Sequence, residues 1–152
     1  MKNMAVIAIG SCIMKDDGIG VWVAKAIESA LNKENVNVVI AETDYEYGFD
    51  AAKDYSYVFV LDATVTGNTP GKITVFPLSD AKVQKTFASQ HDTSLIDMLV
   101  RDDNPPGSLI GIEAHAVDFG FGLSQTLREK FEEICGGVLT EILKIKEGLT
   151  DA

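Results

Sequence analysis

Short apolar runs and segments of helical periodicity alternate along the chain, and together they predict its secondary structure. Five runs consist mainly of apolar and β-branched residues: 5–9, 36–41, 57–61, 73–76 and 109–112. Runs of this length and composition are typical of strands that are buried on both faces of a sheet. The pattern therefore predicts five strands, counted here in chain order.

Helices are predicted where apolar residues recur at intervals of three and four. This spacing over 19–33 and over 94–101 predicts two amphipathic helices. Ser124 is a typical N-cap residue and predicts a long closing helix that runs through Glu147. Residues 42–54 are acidic and irregular, and they predict a loop with at most one helical turn.

The order of these elements predicts the fold class. Strands separated by helices imply right-handed crossovers and a largely parallel sheet covered on both sides. The expected class is therefore α/β, a three-layer α/β/α sandwich around a doubly wound sheet of about five strands. The length of 152 residues fits one domain, since domains usually have roughly 100–200 residues, and a single domain over 1–152 is expected.

The composition narrows the classes of partner. Apolar residues make up 46% of the chain and charged residues 24%, as in a globular protein with a substantial core. The formal net charge is −10. This charge repels phosphate backbones and anionic lipids, so neither nucleic acid nor a membrane surface is an expected partner.

The N-terminus and the cysteines favour the cytoplasm. Apolar residues 4–9 are too few for a secretory signal, whose core has about 7–15 residues, and no stretch approaches the ~20 apolar residues that span a bilayer. Cys12 and Cys135 lie far apart and form no CxxC pair. Neither a zinc knuckle nor a disulfide framework is indicated, and a reducing, cytoplasmic location is expected.

Acidic residues follow two of the predicted strands. In doubly wound sheets, ligands bind beyond the carboxyl ends of the strands where the strand order reverses, which for this element order lies between strands one and three. Asp16 and Asp17 follow strand one, and Asp62 follows strand three. His91 precedes the second helix and can reach the same edge. His115, beyond strand five, is a weaker alternative ligand.

Carboxylates that converge at this edge would repel each other. Two unit charges ~4 Å apart interact by ~4 kcal/mol at an effective dielectric of 20, whereas the dipole of the helix starting near Ile19 offers only ~0.3–1 kcal/mol. A proton or a cation should therefore join Asp17 and Asp62. Two carboxylate oxygens and the imidazole nitrogen of His91 suit zinc, nickel or a similar divalent ion with open positions for a ligand.

Ordinary structural roles compete with this interpretation. Asp62 can cap a loop, Asp17 can cap the following helix, and His91 can be a solvated side chain. Other chemistries have less support, because the loop at 10–20 lacks GxGxxG and the chain contains neither HExxH nor GxSxG. Cys12 follows a buried strand without a positioned histidine, which favours a packed thiol over a nucleophile.

The motifs resemble those of the hydrogenase maturation endopeptidases. The loop at 10–20, Gly-Ser-Cys-Ile-Met-Lys-Asp-Asp-Gly-Ile-Gly, is similar to the GNxLxxDDGxG signature of that family. Three further family motifs are matched, in order, by Leu61-Asp62-Ala63 with Pro70-Gly71, by His91 with Leu95, and by Gly122-Leu123-Ser124. The resemblance extends across nearly the whole chain.

The resemblance implies an endopeptidase that processes the large subunit of nickel-iron hydrogenases. The metal-contacting and catalytic residues of the family fall on Asp17, Asp62 and His91. The enzyme would be a soluble monomer that recognises nickel already inserted in the large-subunit precursor and removes a short C-terminal extension. Nickel would then belong to the substrate, and another divalent metal such as zinc or cadmium could occupy the same site.

Two departures from the family pattern affect the site. Ser11 replaces the usual asparagine, and residues 41–44, Ala-Glu-Thr-Asp, replace a turn similar to Asp-Gly-Gly-Thr whose carboxylate matters in relatives. Either Glu42 or Asp44 can supply that carboxylate. A second class of function therefore stays open, a non-proteolytic protein of the same fold that binds a metal, a metallocentre or a small ligand.

Overall fold

The computed structural model describes residues 3–80, 90–101 and 104–150, and at 90–94 it describes the helical backbone alone. The strands are Met4–Ile9 (β1), Val36–Glu42 (β2), Tyr57–Thr64 (β3), Ile73–Pro77 (β4) and Gly107–Glu113 (β5). The helices are Ile19–Lys33 (α1), Tyr45–Ala52 (α2), Gln90–Leu99 (α3), Gln125–Glu129 (α4) and Phe131–Thr150 (α5), and a 3-10 turn covers Lys15–Gly18. Each predicted strand is present and slightly longer than its apolar run.

The strands form a five-stranded sheet in the order β2-β1-β3-β5-β4. β1 runs parallel to β2 and β3, and β3 runs parallel to β5, whereas β4 is antiparallel to β5. The chain moves from β1 outward to β2 and then returns to the other side of β1 as β3. The strand order therefore reverses between β1 and β3, and both the α/β class and the position of this crevice are confirmed.

Helices cover both faces of the sheet, because successive strand residues point to opposite sides. In β1, Met4 and Val6 belong to the core cluster that includes α1, α4 and α5. Ala5 and Ile7 belong to the cluster that includes α2 and α3. Every residue of β1 is buried, which explains why this interior strand is a continuous apolar run rather than an alternating one.

The prediction of a loop over 42–54 is wrong, because α2 occupies much of this segment. The carboxylate of Asp44 accepts a hydrogen bond from the backbone N–H of Tyr47 at 3.1 Å and so caps the helix. Tyr45 and Phe49, four residues apart, pack against the core cluster on that face of the sheet. Aromatic residues favour helices only moderately, so here tertiary packing outweighs local propensity.

The helices predicted over 94–101 and from Ser124 through Glu147 are present with different bounds. The helix predicted over 94–101 begins earlier, and the predicted closing helix is divided into α4 and α5. Ser124 caps α4 as expected, since its Oγ accepts a hydrogen bond from Leu127 N–H at 3.3 Å. Lys130 separates α4 from α5, and its Nζ donates to the carbonyl of Pro70 at 2.8 Å. Among the described helices, none has the length and apolar character needed to cross a membrane.

Candidate functional site

Gly10, at the end of β1, allows two acidic residues to approach the crevice between β1 and β3. Its φ of +124° lies in a region that favours glycine, and its N–H donates to the carbonyl of Glu42 at 2.9 Å. A Cβ on Gly10 would collide with the backbone oxygen of Asp17 and would lie 3.2 Å from Asp62 Oδ1. Asp17 and Asp62 therefore both border Gly10, at the edge of the sheet where the sequence predicts a site.

The carboxylates of Asp17 and Asp62 are buried and accept hydrogen bonds from nearby backbone. Asp17 lies in the 3-10 turn, and its Oδ2 accepts from Ser11 N–H at 2.8 Å. Asp62 Oδ1 accepts from Ala63 N–H at 2.7 Å. Asp62 lies within β3 rather than after it, because pairing with β5 continues as far as Thr64. These contacts orient both side chains within the folded structure.

The first turn of α1 packs closely against β3 beside the crevice. A Cβ on Gly20 would lie 2.5 Å from the carbonyl oxygen of Leu61 and 3.2 Å from Asp62 Cα, so glycine lets the helix begin this close to β3. The positive end of the helix dipole stabilises a neighbouring carboxylate by about 0.3–1 kcal/mol. The start of α1 therefore provides a favourable environment for the carboxylate of Asp62.

Asp16, the sequence neighbour of Asp17, is hydrogen-bonded to the loop after β5 and to the start of α4. Its Oδ2 accepts hydrogen bonds from the N–H groups of His115 and Ala116, both at 2.9 Å, and from Ser124 Oγ at 2.8 Å. Its Oδ1 accepts from Ser124 N–H at 2.8 Å. Asp16 thus ties the loop after β1 to the start of α4. Asp16 and Asp17, which are adjacent in the sequence, therefore have hydrogen-bond partners in different parts of the structure.

Glu113, at the end of β5, is a further buried carboxylate, and sequence reasoning missed it. It accepts hydrogen bonds from Thr64 Oγ1 at 3.0 Å, from Thr66 N–H at 2.9 Å and Oγ1 at 2.7 Å, and from Gly67 N–H at 3.1 Å. These bonds hold the loop after β3 against β5. A signal was present in the sequence, because a glutamate that directly follows a buried apolar strand needs hydrogen-bond donors.

Glu42, at the end of β2, borders a cavity next to Gly10. The cavity has a volume of about 220 Å³ and is lined by Gly10, Ser11, Cys12, Ile13, Glu42 and Thr43. The φ of Glu42 is +55°, a left-handed conformation that costs a residue other than glycine on the order of 1–3 kcal/mol. Asp44, in contrast, caps α2. Of the two carboxylates that could replace the one expected after β2, Glu42 is the one that borders this cavity.

Cys12 and Cys135 are free, half-buried thiols, so the prediction that they form no disulfide is confirmed. Burial raises the pKa of the Cys12 thiol, the negative charges of Glu42 and Asp17 raise it further, and Lys25 opposes them. Burial also raises the pKa of Cys135. Because the thiolate is the reactive form, both cysteines are poor nucleophiles near neutral pH.

The two histidines differ in how much the structure shows of them. His91 lies in the first turn of α3, and its side chain is outside the described part of the structure. Leu99, in the last turn of α3, lines a cavity together with Gly107 at the start of β5. His115 is exposed on the loop after β5. Among the residues whose side chains are described, no group of three His, Cys, Asp or Glu is arranged to hold a metal ion.

Comparison with protein families identifies the group to which this architecture belongs. Residues 21–141 match the family model of the hydrogenase maturation proteases, which is more than half of the chain. The chain belongs to the hydrogenase maturation protease family. The match includes Asp62 and begins directly after Gly20, so the loop that contains Asp17 precedes the matched region. No curated protein sequence matches this hydrogenase maturation protease.

Solved structures of the same family share the fold. The chain is similar to the hydrogenase maturating endopeptidase HybD from Escherichia coli, with a TM-score of 0.73, 20% identity and 93% of both chains covered. It is similar to the endopeptidase HycI from Escherichia coli, with a TM-score of 0.72, 22% identity and coverage of 88% of this chain and 87% of that one. For the [NiFe] hydrogenase maturation protease HybD from Thermococcus kodakarensis, the TM-score is 0.70 at 22% identity, with 93% and 98% of the two chains covered.

Proposed function

We propose that the chain is an endopeptidase that recognises nickel in a hydrogenase large-subunit precursor and removes the C-terminal extension of that precursor. The observation that supports this most strongly is the approach of Asp17 and Asp62 to Gly10, in a chain of the hydrogenase maturation protease family. One similar structure is described as a [NiFe] hydrogenase maturation protease, which favours a nickel-iron hydrogenase as the substrate.

In this proposal Asp17, Asp62 and His91 are the metal-contacting and catalytic residues. Two carboxylates alone would suit magnesium or calcium, whereas an added imidazole nitrogen favours nickel or zinc. The nickel belongs to the substrate, so three protein ligands leave positions that the precursor's own ligands can fill. Zinc or cadmium would occupy the same position in the isolated protein.

Glu42 is the proposed replacement for the carboxylate expected after β2. It borders the cavity beside Gly10, whereas the carboxylate of Asp44 is hydrogen-bonded to the first turn of α2. Glu42 also keeps an unfavourable backbone conformation, and such conformations cluster at functional sites. Its negative charge beside the crevice would add to the attraction of a cation that the precursor presents.

The partner in this proposal is a protein, and the enzyme acts as a cytoplasmic monomer. The net charge of −10 disfavours nucleic acid and anionic membrane surfaces as partners. A metal ion in a protein segment, in contrast, could accept the carboxylates of Asp17 and Asp62 as ligands.

Incubation with a large-subunit precursor, prepared with and without nickel, tests the proposal. Mass spectrometry is expected to show loss of the C-terminal extension from the nickel-loaded precursor and an unchanged nickel-free precursor. The variant His91→Ala should stay folded and lose cleavage of the loaded precursor. His115→Ala is the matched control, because it removes an exposed histidine from the loop after β5, and it should cleave normally.

Each component of the proposal can fail separately in this experiment. An unchanged mass of the nickel-loaded precursor would contradict proteolysis and favour the non-proteolytic alternative, a protein that binds a metal, a metallocentre or a small ligand. Equal cleavage of the loaded and nickel-free precursors would show that nickel is not recognised. Normal cleavage by folded His91→Ala would remove His91 from the site.

A further inference from the structure

Several large apolar side chains are exposed on the loop that precedes α4 and on the loop after β1. Phe119 and Phe121 are 78% and 79% exposed, and Ile13 is 54% exposed. Single exposed apolar residues are common on protein surfaces, but groups of them mark interaction sites. Two phenylalanines that expose most of their surface within three residues call for a structural or functional reason.

Phe121 forms one wall of an open groove next to α1. The groove has a volume of about 330 Å³ and is lined by Trp22, Phe121, Gly122, Leu123, Arg128 and Phe131, which together are called the aromatic groove. The rings of Trp22 and Phe121 are in edge-to-face contact, with centroids 5.9 Å apart. The indole N–H of Trp22 is buried and has no hydrogen-bond acceptor among the described residues. The walls of the groove are thus mainly apolar and aromatic.

The aromatic groove is connected to the candidate site through the backbone. The N–H of Gly120 donates to the carbonyl of Ile13 at 2.8 Å, and the N–H of Lys15 donates to the carbonyl of Gly120 at 2.9 Å. Ile13 also lines the cavity beside Glu42. The loop that contains Asp17 is therefore hydrogen-bonded directly to the loop that carries the exposed phenylalanines. A protein bound to those phenylalanines lies next to the loop that contains Asp17.

The charge of the groove is opposite to the charge of the whole chain. The chain has a net charge of −10, yet Arg128 lines the groove and Lys25 Nζ lies 5.8 Å from the centroid of the Trp22 ring. Neither cation forms an ion pair with any residue in the described ranges. Aromatic residues and arginine are the types that contribute most binding energy at protein interfaces. The groove therefore fits an apolar side chain that is accompanied by a negative charge.

We propose that the aromatic groove is the docking site for the protein substrate, and that it binds a large apolar side chain of the substrate next to an acidic side chain. This inference rests on the proposed function, because the substrate is the hydrogenase large-subunit precursor. The apolar side chain packs against Trp22 and Phe121, and the acidic side chain interacts with Arg128 and Lys25. Docking here holds the precursor while its metal-bearing segment reaches Asp17 and Asp62.

Kinetics and binding with the nickel-loaded precursor test this proposal. Phe121→Ser is expected to raise KM, and the Kd measured by calorimetry, about 30-fold with little change in kcat, since loss of a central aromatic contact has an effect of this order. Arg128→Glu should raise KM about 10-fold and reduce the dependence of binding on salt. The matched control is Val100→Ser, which changes a 45% exposed apolar residue near the opposite edge and should leave both constants unchanged.

The outcomes separate the docking site from the proposed function. If wild-type protein cleaves the precursor and Phe121→Ser, with unchanged thermal stability, cleaves it with the wild-type KM, the docking proposal is wrong and the proteolytic function stands. If wild-type protein binds without cleavage, the Kd of Phe121→Ser decides the docking proposal by itself. Absence of binding by wild-type protein contradicts both. A dimer of wild-type protein in sedimentation that Phe121→Ser dissociates would assign the groove to a second copy instead.

Discussion

Asp16 and Asp17 are adjacent in the chain but belong to two different regions of the molecule. In the region at the end of β5, Asp16 accepts hydrogen bonds from residues about one hundred positions away, His115, Ala116 and Ser124. In the crevice between β1 and β3, Asp17 accepts one from Ser11 in its own loop. Donors from distant segments join those segments together, whereas a donor within the loop orients the side chain.

This difference indicates where stability and function are concentrated. A buried carboxylate is tolerated only where donors compensate for the loss of water, and removal of the carboxylate leaves those donors unsatisfied. Asp16 and Glu113 each hold a loop in place through several such donors. We therefore expect substitutions around the end of β5 to reduce stability, and substitutions in the crevice to reduce activity in a protein that stays folded.

Asp16→Ala is expected to have the largest effect on stability. It leaves three backbone N–H groups and a hydroxyl without their acceptor, and loss of one partner from a buried charged network costs about 3–5 kcal/mol. Urea denaturation should show this decrease in the free energy of unfolding. Asp118→Ala is the control, because Asp118 is exposed and pairs with Lys15 at the surface, and its midpoint should match wild type. An unchanged urea midpoint for Asp16→Ala would contradict the claim that the region at the end of β5 supports stability.

Glu113→Gln should reduce the free energy of unfolding by about 2 kcal/mol. The amide keeps one acceptor oxygen, but its NH₂ group would face donors on Thr66 and Gly67, and charge-assisted hydrogen bonds would be lost. The same denaturation experiment on Glu132→Gln, an exposed glutamate of α5, should show no change. A loss below about 0.5 kcal/mol, the size expected of an ordinary surface substitution, would mean that Glu113 does not anchor the loop after β3.

Glu42 and Asp44 provide the same comparison on a smaller scale. Asp44→Ala removes the N-cap of α2 and should lower stability by about 1 kcal/mol while precursor cleavage per folded molecule stays normal. Glu42→Gln should leave the thermal midpoint unchanged and slow cleavage about 10-fold, the lower end of the effect of residues that support a metal site. Slower cleavage by Asp44→Ala together with normal cleavage by Glu42→Gln would assign the functional carboxylate to Asp44.

The cysteines should have the smallest effects. Burial raises the pKa of both thiols, so a thiolate-selective reagent should react with the folded protein only at a higher pH than with free cysteine. A pKa raised in the folded state stabilises that state below the ordinary thiol pKa, about 8.5, and the stabilisation is lost as pH rises above it. Cys12→Ala should therefore weaken the alkaline decrease in stability and keep wild-type cleavage at pH 7. Loss of cleavage by the folded variant would make Cys12 a functional residue.

The sheet and the crevice could be predicted from the sequence because they depend on strong local patterns. Buried parallel strands appear as apolar runs, and β1 and β3 have such runs followed by acidic residues. α2 was missed because its helix depends on packing of Tyr45 and Phe49 against the core and on a cap from Asp44, none of which produces a strong periodic signal.

The separate roles of Asp16 and Asp17 could not be predicted because they depend on contacts with distant residues. Nothing near Asp16 in the sequence indicates that its acceptors are occupied by the loop after β5 and by Ser124. Glu113 has the same property, since its donors follow β3. The sequence indicates that a buried carboxylate needs partners, and only the tertiary structure shows which partners it has.

A paired measurement on Asp16→Asn and Asp17→Asn tests the central claim most directly, because the two isosteric changes are adjacent in the chain. Each variant is assayed for thermal stability and for the rate of cleavage of the nickel-loaded precursor per folded molecule. Asp17→Asn is expected to keep a near wild-type midpoint, since its amide oxygen can still accept from Ser11, and to lose at least about 100-fold in rate, the scale of a lost electrostatic or acid-base contribution. Asp16→Asn should melt at a lower temperature and cleave at close to the wild-type rate. Wild-type cleavage by Asp17→Asn, or loss of cleavage by Asp16→Asn while it is still folded, would contradict the assignment of the crevice as the active site.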